Sequence, residues 1–155
     1  MTLLERPPSA LSAQQVDPLS WVTGPYVPLV FGFLSLGYGI VMGFVTYPEV
    51  HQPGAQFVAA ALCGLACLTV HVATRPMRPP LGWAGAIVAL LIGTGALLLS
   101  ALGCIGGRIS IEQWWAPIGF AFVVASLAPY LPARRILGLG GVAAAVAVPV
   151  AYVAV

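Results

Sequence analysis

Residues 82–104 read GWAGAIVALLIGTGALLLSALGC and contain no Asp, Glu, Lys or Arg. At about 1.5 Å of rise per helical residue, this run is long enough to cross the roughly 30 Å hydrocarbon core of a bilayer. Four further runs have a similar length and character. The sequence therefore predicts an all-α polytopic integral membrane protein, a bundle of five transmembrane helices with spans at about 28–47, 56–74, 82–104, 114–131 and 136–155.

The composition supports a membrane environment. The chain has 155 residues, of which 60% are hydrophobic and 6% are charged, whereas soluble domains carry about 25% charged residues. Transmembrane strands are disfavoured because they alternate apolar and polar residues, and the third span is apolar on all sides. Residues 1–27, interrupted by prolines, are predicted to form a cytoplasmic or interfacial tail, and residues 28–155 the five-helix transmembrane domain.

The basic residues indicate both a source and an orientation. All six are arginine, and with the abundant Ala, Gly, Pro and Val this suggests a GC-rich bacterial genome and hence the bacterial inner membrane. Arg75 and Arg78 share the second linker, and Arg134 and Arg135 share the fourth, whereas the opposite side has only Arg108. Because arginine is retained on the cytoplasmic side, the N-terminus is predicted inside and the C-terminus outside.

Tryptophan positions agree with this orientation. Trp114 and Trp115 fall at a predicted outer end of a span, and Trp83 falls at a predicted inner end. Tryptophan favours both membrane interfaces because its ring is apolar and its N–H is polar. These three residues and the four linker arginines are therefore predicted topology anchors.

Pairs of small residues four positions apart recur in every span. Such pairs let helix backbones approach closely where lipid removes the hydrophobic drive for association. The predicted helix-packing residues are Gly39 and Gly43, Ala60 and Gly64, Ala89 and Gly93, Ala121 and Ala125, and Gly141 and Ala145.

One span contains a candidate metal site, formed by Cys63, Cys67 and His71. Thiolate and imidazole ligands suit Cu(I), Zn²⁺ or haem iron. However, the first and last of these residues are about 12 Å apart along a helix, so the three cannot close on one ion. Small packing cysteines are the simpler interpretation, and no cofactor is expected.

Two predicted outer loops contain polar residues. His51 follows Glu49 at a spacing that could sense pH or bind a cation, and residues 106–110 (GGRIS) could bind an anion through backbone amides. Ordinary solvated loops are the simpler interpretation of both.

The distribution of charge disfavours several classes of function. No Asp, Glu, Lys or Arg falls within a predicted span, although ion-coupled carriers normally keep such a group at depth. No paired carboxylates or nucleophile with a base are evident, so the chain is not expected to be an enzyme. The small and scattered net charge of +2 disfavours nucleic-acid binding.

The sequence therefore predicts a non-enzymatic membrane protein, acting as an accessory or scaffold subunit or as a membrane sensory input module. Its expected partners are the lipid bilayer and either other membrane chains or a second copy. Val155 lies within an apolar run. If the gene continued through a sixth helix, the chain would return to the cytoplasm, where a signalling domain could follow. That layout resembles, in architecture alone, the membrane input regions of bacterial sensor kinases and regulators. The alternatives are a subunit of a small transporter or channel, which would need oligomerisation, and a metal or haem redox protein using the second helix.

Overall fold

A computed structural model describes residues 24–74, 81–110 and 113–154. Within these residues all regular structure is helical, which confirms the predicted all-α class. A single 3-10 turn, Gly24–Tyr26, precedes five helices: α1 (Val27–Val45), α2 (Pro53–Ala73), α3 (Trp83–Cys104), α4 (Ala116–Ser126) and α5 (Ala133–Ala154). Most of the predicted tail lies outside the described residues.

Three of these helices are long and apolar enough to span a membrane. They are α1, α2 and α3, with mean hydropathies of 1.9, 1.8 and 2.3. Helix α4 differs from the predicted fourth span, because only its 11 central residues are helical and turns follow from Leu127 to Tyr130. At about 1.5 Å per residue, α4 is roughly 16 Å long.

Proline lies in the first turn of three helices and fixes where they begin. Pro28 occupies this position in α1, Pro53 in α2 and Pro117 in α4. An amide in the first turn has no intrahelical acceptor, so the missing N–H of proline costs little there, and its fixed φ angle favours the helix. The chain can therefore turn sharply between antiparallel neighbours.

Helices α1 to α4 form the core of the bundle. Each contacts the next along the chain or around the bundle: α1 packs on α2, α2 on α3, α3 on α4, and α4 on α1. Helix α2 also contacts α4 across the core, and its most extensive contacts are with α1 and α3. Helix α5 lies outside this core and packs against α3.

Small residues set the distances between these helices. A Cβ atom added to Gly39 of α1 would lie 2.6 Å from the Cβ of Ala60 and 2.9 Å from the Trp115 ring. A Cβ atom added to Gly93 of α3 would lie 3.1 Å from Val123 of α4. Such close approach brings polar groups on different helices within hydrogen-bonding distance.

Candidate functional site

A buried glutamine organises one end of the bundle. Gln56 lies in the first turn of α2, and its side chain is fully buried. Its amide nitrogen donates to the Ser100 carbonyl oxygen at 2.9 Å and to the Cys104 sulfur at 3.4 Å. A buried polar group of this kind is costly unless it is hydrogen-bonded, and here the bonds tie α2 to the last turns of α3.

The amide oxygen of Gln56 accepts two further hydrogen bonds. The Ser100 hydroxyl donates to it at 2.6 Å and the Trp115 indole nitrogen at 2.9 Å. The Trp114 indole nitrogen donates in turn to the Ser100 hydroxyl oxygen at 3.0 Å. We call these five residues the Gln56 cluster: Gln56, Ser100, Cys104, Trp114 and Trp115.

The Gln56 cluster leaves no hydrogen-bonding capacity of Gln56 unused. A side-chain amide has two donors and two acceptor positions, and all four are occupied by protein groups. Among the described residues, every buried side-chain nitrogen or oxygen has a partner. The Gln56 cluster is therefore arranged as a brace between α2, α3 and the start of α4.

Two loops cover this end of the bundle and are joined through their backbones. The Arg108 amide donates to the Glu49 carbonyl oxygen at 2.8 Å, and the Gln52 amide donates to the Gly103 carbonyl oxygen at 3.0 Å. We call residues 46–52 and 105–110 the loop cap. The structure thus brings together the two polar loops that the sequence suggested separately, with His51 and Arg108 exposed and Glu49 half-buried.

A glycine permits the close contact inside the loop cap. A Cβ atom added to Gly107 would lie 2.5 Å from the Glu49 carbonyl oxygen and 3.3 Å from the His51 amide nitrogen. The preceding residue, Gly106, has a φ angle of +79°, a conformation that glycine adopts without steric cost. The GG pair therefore shapes the turn that lets the second loop pass over the first.

The cysteines of α2 lie in the middle of the bundle. Cys63 and Cys67 are free and buried, Cys63 beside the Ser35 hydroxyl and Cys67 beside the Ser126 hydroxyl. His71 is half-buried and interacts with another group of the protein. Among the described residues, no group of three or more His, Cys, Asp or Glu is placed to hold a metal ion, so the metal hypothesis gains no support.

The predicted packing residues divide into two sets. Gly39, Gly43, Ala60, Ala89 and Gly93 are buried, and Gly64 is half-buried at the contact between α1 and α2. The other set faces outward wholly or in part: Ala121, Gly141 and Ala145 are exposed, and Ala125 is half-buried. Gly39, Gly43 and Ala60 lie where α1 meets α2, and Gly93 lies where α3 meets α4.

The predicted anchors also differ in their surroundings. Trp114 and Trp115 are buried in the Gln56 cluster, with 7% and 1% of their surface exposed, whereas Trp83 is 49% exposed. Arg134 and Arg135 are exposed, while Arg75 and Arg78 lie outside the described residues. The proposed role of these residues in topology stays a prediction.

Gln56 was not predicted from the sequence. The polar residues considered within the spans were charged groups and hydroxyls, and Gln56 is an amide at the edge of the second span. A signal was present: Gln56, Ala60, Cys63 and Cys67 follow one another at intervals of four, three and four. Residues at these intervals share a helix face, so an amide on a face of small residues points into the bundle.

Comparisons of the chain with protein-family models, curated proteins and solved structures find no match.

Proposed function

We propose that this protein is a non-enzymatic module of the bacterial inner membrane that acts through partner chains, as an accessory or scaffold subunit or as a sensory input region. The observation that carries the proposal is the Gln56 cluster. Its polar groups bond to one another and connect three segments of the bundle, so they serve to hold helices in place. A catalytic or transport site would instead direct polar groups toward a bound molecule.

The filling of the bundle interior also supports a structural module. The largest fully buried side chains include Trp115, Leu127, Val70 and Val123. Val70 belongs to α2 and Val123 to α4, and these two helices contact each other across the core. A channel would need a polar, water-filled path along this axis.

The outer surface supports residence in lipid. Phe33 of α1 and Leu137 of α5 are each 74% exposed, and Leu91 of α3 is 66% exposed. Large apolar side chains exposed on several helices would be unfavourable in water, and they mark contact with a membrane or another protein.

The proposed topology has five crossings, with the N-terminus in the cytoplasm and the C-terminus outside. The fourth crossing consists of α4 and the turns that follow it, which end at Tyr130, whose hydroxyl donates to the Gly24 carbonyl oxygen at the start of the first helical segment. Arg108 of the loop cap and Arg134 at the start of α5 lie at opposite ends of the bundle in this arrangement. Labelling of R108C and R134C with a membrane-impermeant maleimide tests it in sealed, oriented vesicles. The native cysteines are buried and give little background. Reaction of both variants from the same side would refute the topology.

The function is tested by gentle solubilisation of native membranes followed by size separation. We expect the 16.0 kDa chain to migrate with other membrane proteins in a complex of defined mass. Purified protein in proteoliposomes should leave proton and potassium permeability unchanged. A chain that migrates alone and produces a flux proportional to its amount would refute the proposal and favour a transporter or channel subunit.

A further inference from the structure

An exposed basic surface lies at the end of the bundle opposite the loop cap. Trp83 begins α3, and Arg134 and Arg135 lie in the first turn of α5. The guanidinium carbon of Arg135 lies 5.0 Å from the centroid of the Trp83 ring. We call these three residues the arginine face.

The arginine face has hydrogen-bond donors available to a ligand. A guanidinium group has five N–H donors in its plane, and contact with an aromatic face orients the group without supplying a hydrogen-bonded acceptor. The only carboxylate side chain among the described residues is Glu49, which belongs to the loop cap at the other end. The two arginines therefore form a basic surface that is not neutralised by any described acidic residue.

An open apolar strip continues from the arginine face along α5. Leu137, Gly138 and Gly141 follow Arg134 at intervals of three, four and seven residues, which places them on its side of the helix. Leu137 is 74% exposed, and a Cβ atom added at Gly138 or Gly141 would meet nothing within 4 Å. The strip runs about 10 Å from Arg134 along the helix axis.

We propose that the arginine face binds the phosphate of an anionic phospholipid, while an acyl chain lies along the strip formed by Leu137, Gly138 and Gly141. Arginine binds phosphate with charge-assisted and often bidentate hydrogen bonds, and basic residues beside membrane helices attract anionic headgroups. The inference rests on the membrane placement in the proposed function, but not on the identity of any partner chain.

The test is a titration of the full chain in non-ionic detergent with phosphatidylglycerol or phosphatidylcholine, with bound lipid counted by native mass spectrometry. We expect the native chain to bind phosphatidylglycerol more tightly. The double variant R134Q/R135Q should lose about tenfold or more of that affinity, with phosphatidylcholine binding unchanged. The matched control R108Q, at the opposite end, should bind phosphatidylglycerol like the native chain.

Two further measurements identify the source of the phosphate. Gly141→Leu fills the strip without touching the arginines, so it should lower phosphatidylglycerol affinity. Millimolar inorganic phosphate should leave the bound lipid in place, because it lacks the acyl chain. All variants change exposed residues, and their unfolding temperatures without added lipid should match that of the native chain.

The inference is wrong if R134Q/R135Q binds phosphatidylglycerol as the native chain does, or if R108Q loses as much affinity. Displacement of the lipid by inorganic phosphate would also refute it, because the ligand would then be a soluble anion. Equal binding of the two lipids by a chain that still assembles into its native complex would overturn the lipid site alone and leave the proposed function standing.

Discussion

The two ends of the bundle use tryptophan in opposite ways. At the Gln56 cluster, Trp115 is 1% exposed and its N–H bonds to an amide inside the protein. At the arginine face, Trp83 is 49% exposed and its ring contacts a cation. The first end is held by directed hydrogen bonds between helices, and the second presents side chains to its surroundings. The same residue type therefore stabilises the fold at one end and offers a binding surface at the other.

The largest expected effect comes from a substitution at the centre of the Gln56 cluster. Gln56→Leu removes the acceptor of the Ser100 hydroxyl and of the Trp115 N–H, leaving buried donors without partners. We expect a loss of about 3 kcal/mol of stability, measured as a lower unfolding temperature in detergent. The control Gln52→Leu alters an exposed glutamine that is hydrogen-bonded only through its backbone, and it should change little. Equal unfolding temperatures for the two variants would contradict the bracing role.

A second prediction concerns the helix contact beside the Gln56 cluster. Gly39→Ala places a methyl group against Ala60 and the Trp115 ring, so we expect a loss of about 2 kcal/mol. The control Gly37→Ala lies on the same helix with nothing within 4 Å. It should leave stability unchanged or raise it by up to about 1 kcal/mol, because alanine favours helices over glycine. If both substitutions had the same effect, the close approach of α1 to α2 would be refuted.

The third prediction compares the two tryptophans directly. Trp115→Phe keeps most of the buried ring but removes one hydrogen bond to Gln56, so stability should fall by about 1.5 kcal/mol. Trp83→Phe keeps an aromatic face beside Arg135 at an exposed position, and its effect should stay below about 0.5 kcal/mol. Thermal unfolding of both variants in one detergent measures the difference, and the reverse order would invalidate the comparison.

The smallest expected effect concerns the loop cap above the Gln56 cluster. Gly107→Ala would push the Glu49 carbonyl away, and we expect a loss of about 1 kcal/mol, because an exposed loop can shift to relieve part of the contact. Gly54→Ala is the control, since a Cβ atom there meets nothing within 4 Å. Unfolding temperatures again provide the measurement, and a Gly107→Ala chain as stable as the control would show that the loops do not depend on this contact.

The sequence predicted the long helices because their physical signal is local. An uninterrupted apolar run such as residues 82–104 satisfies its own backbone only as a helix in lipid, so α3 could be located without knowledge of its neighbours. The same reasoning failed to give the bounds of α4. Trp114 and Trp115 belong to the same apolar run by composition, but they precede the first residue of α4, and their side chains are buried inside the bundle.

The candidate site was less accessible to sequence reasoning because its parts are distant along the chain. Gln56 and Trp115 are 59 positions apart, and no local pattern links an amide on α2 to an indole before α4. The spacing of small residues predicted close contacts between helices, and Gly39 and Ala60 are buried where α1 approaches α2. Gly141 and Ala145 have the same spacing, but both are exposed. The spacing of two residues shows that they share a helix face, but it does not show whether another helix packs against that face.

By itself, the sequence determined the helical class, the apolar lengths of α1, α2 and α3, and the separation of Arg108 from Arg134 and Arg135 along the chain. These properties follow from solvation and backbone geometry within single segments. Only the tertiary structure decided that Trp115 turns inward to Gln56 while Trp83 stays outside beside Arg135. The side chain of tryptophan suits both an interface and a polar core, and only the groups that packing brings near its N–H distinguish between them.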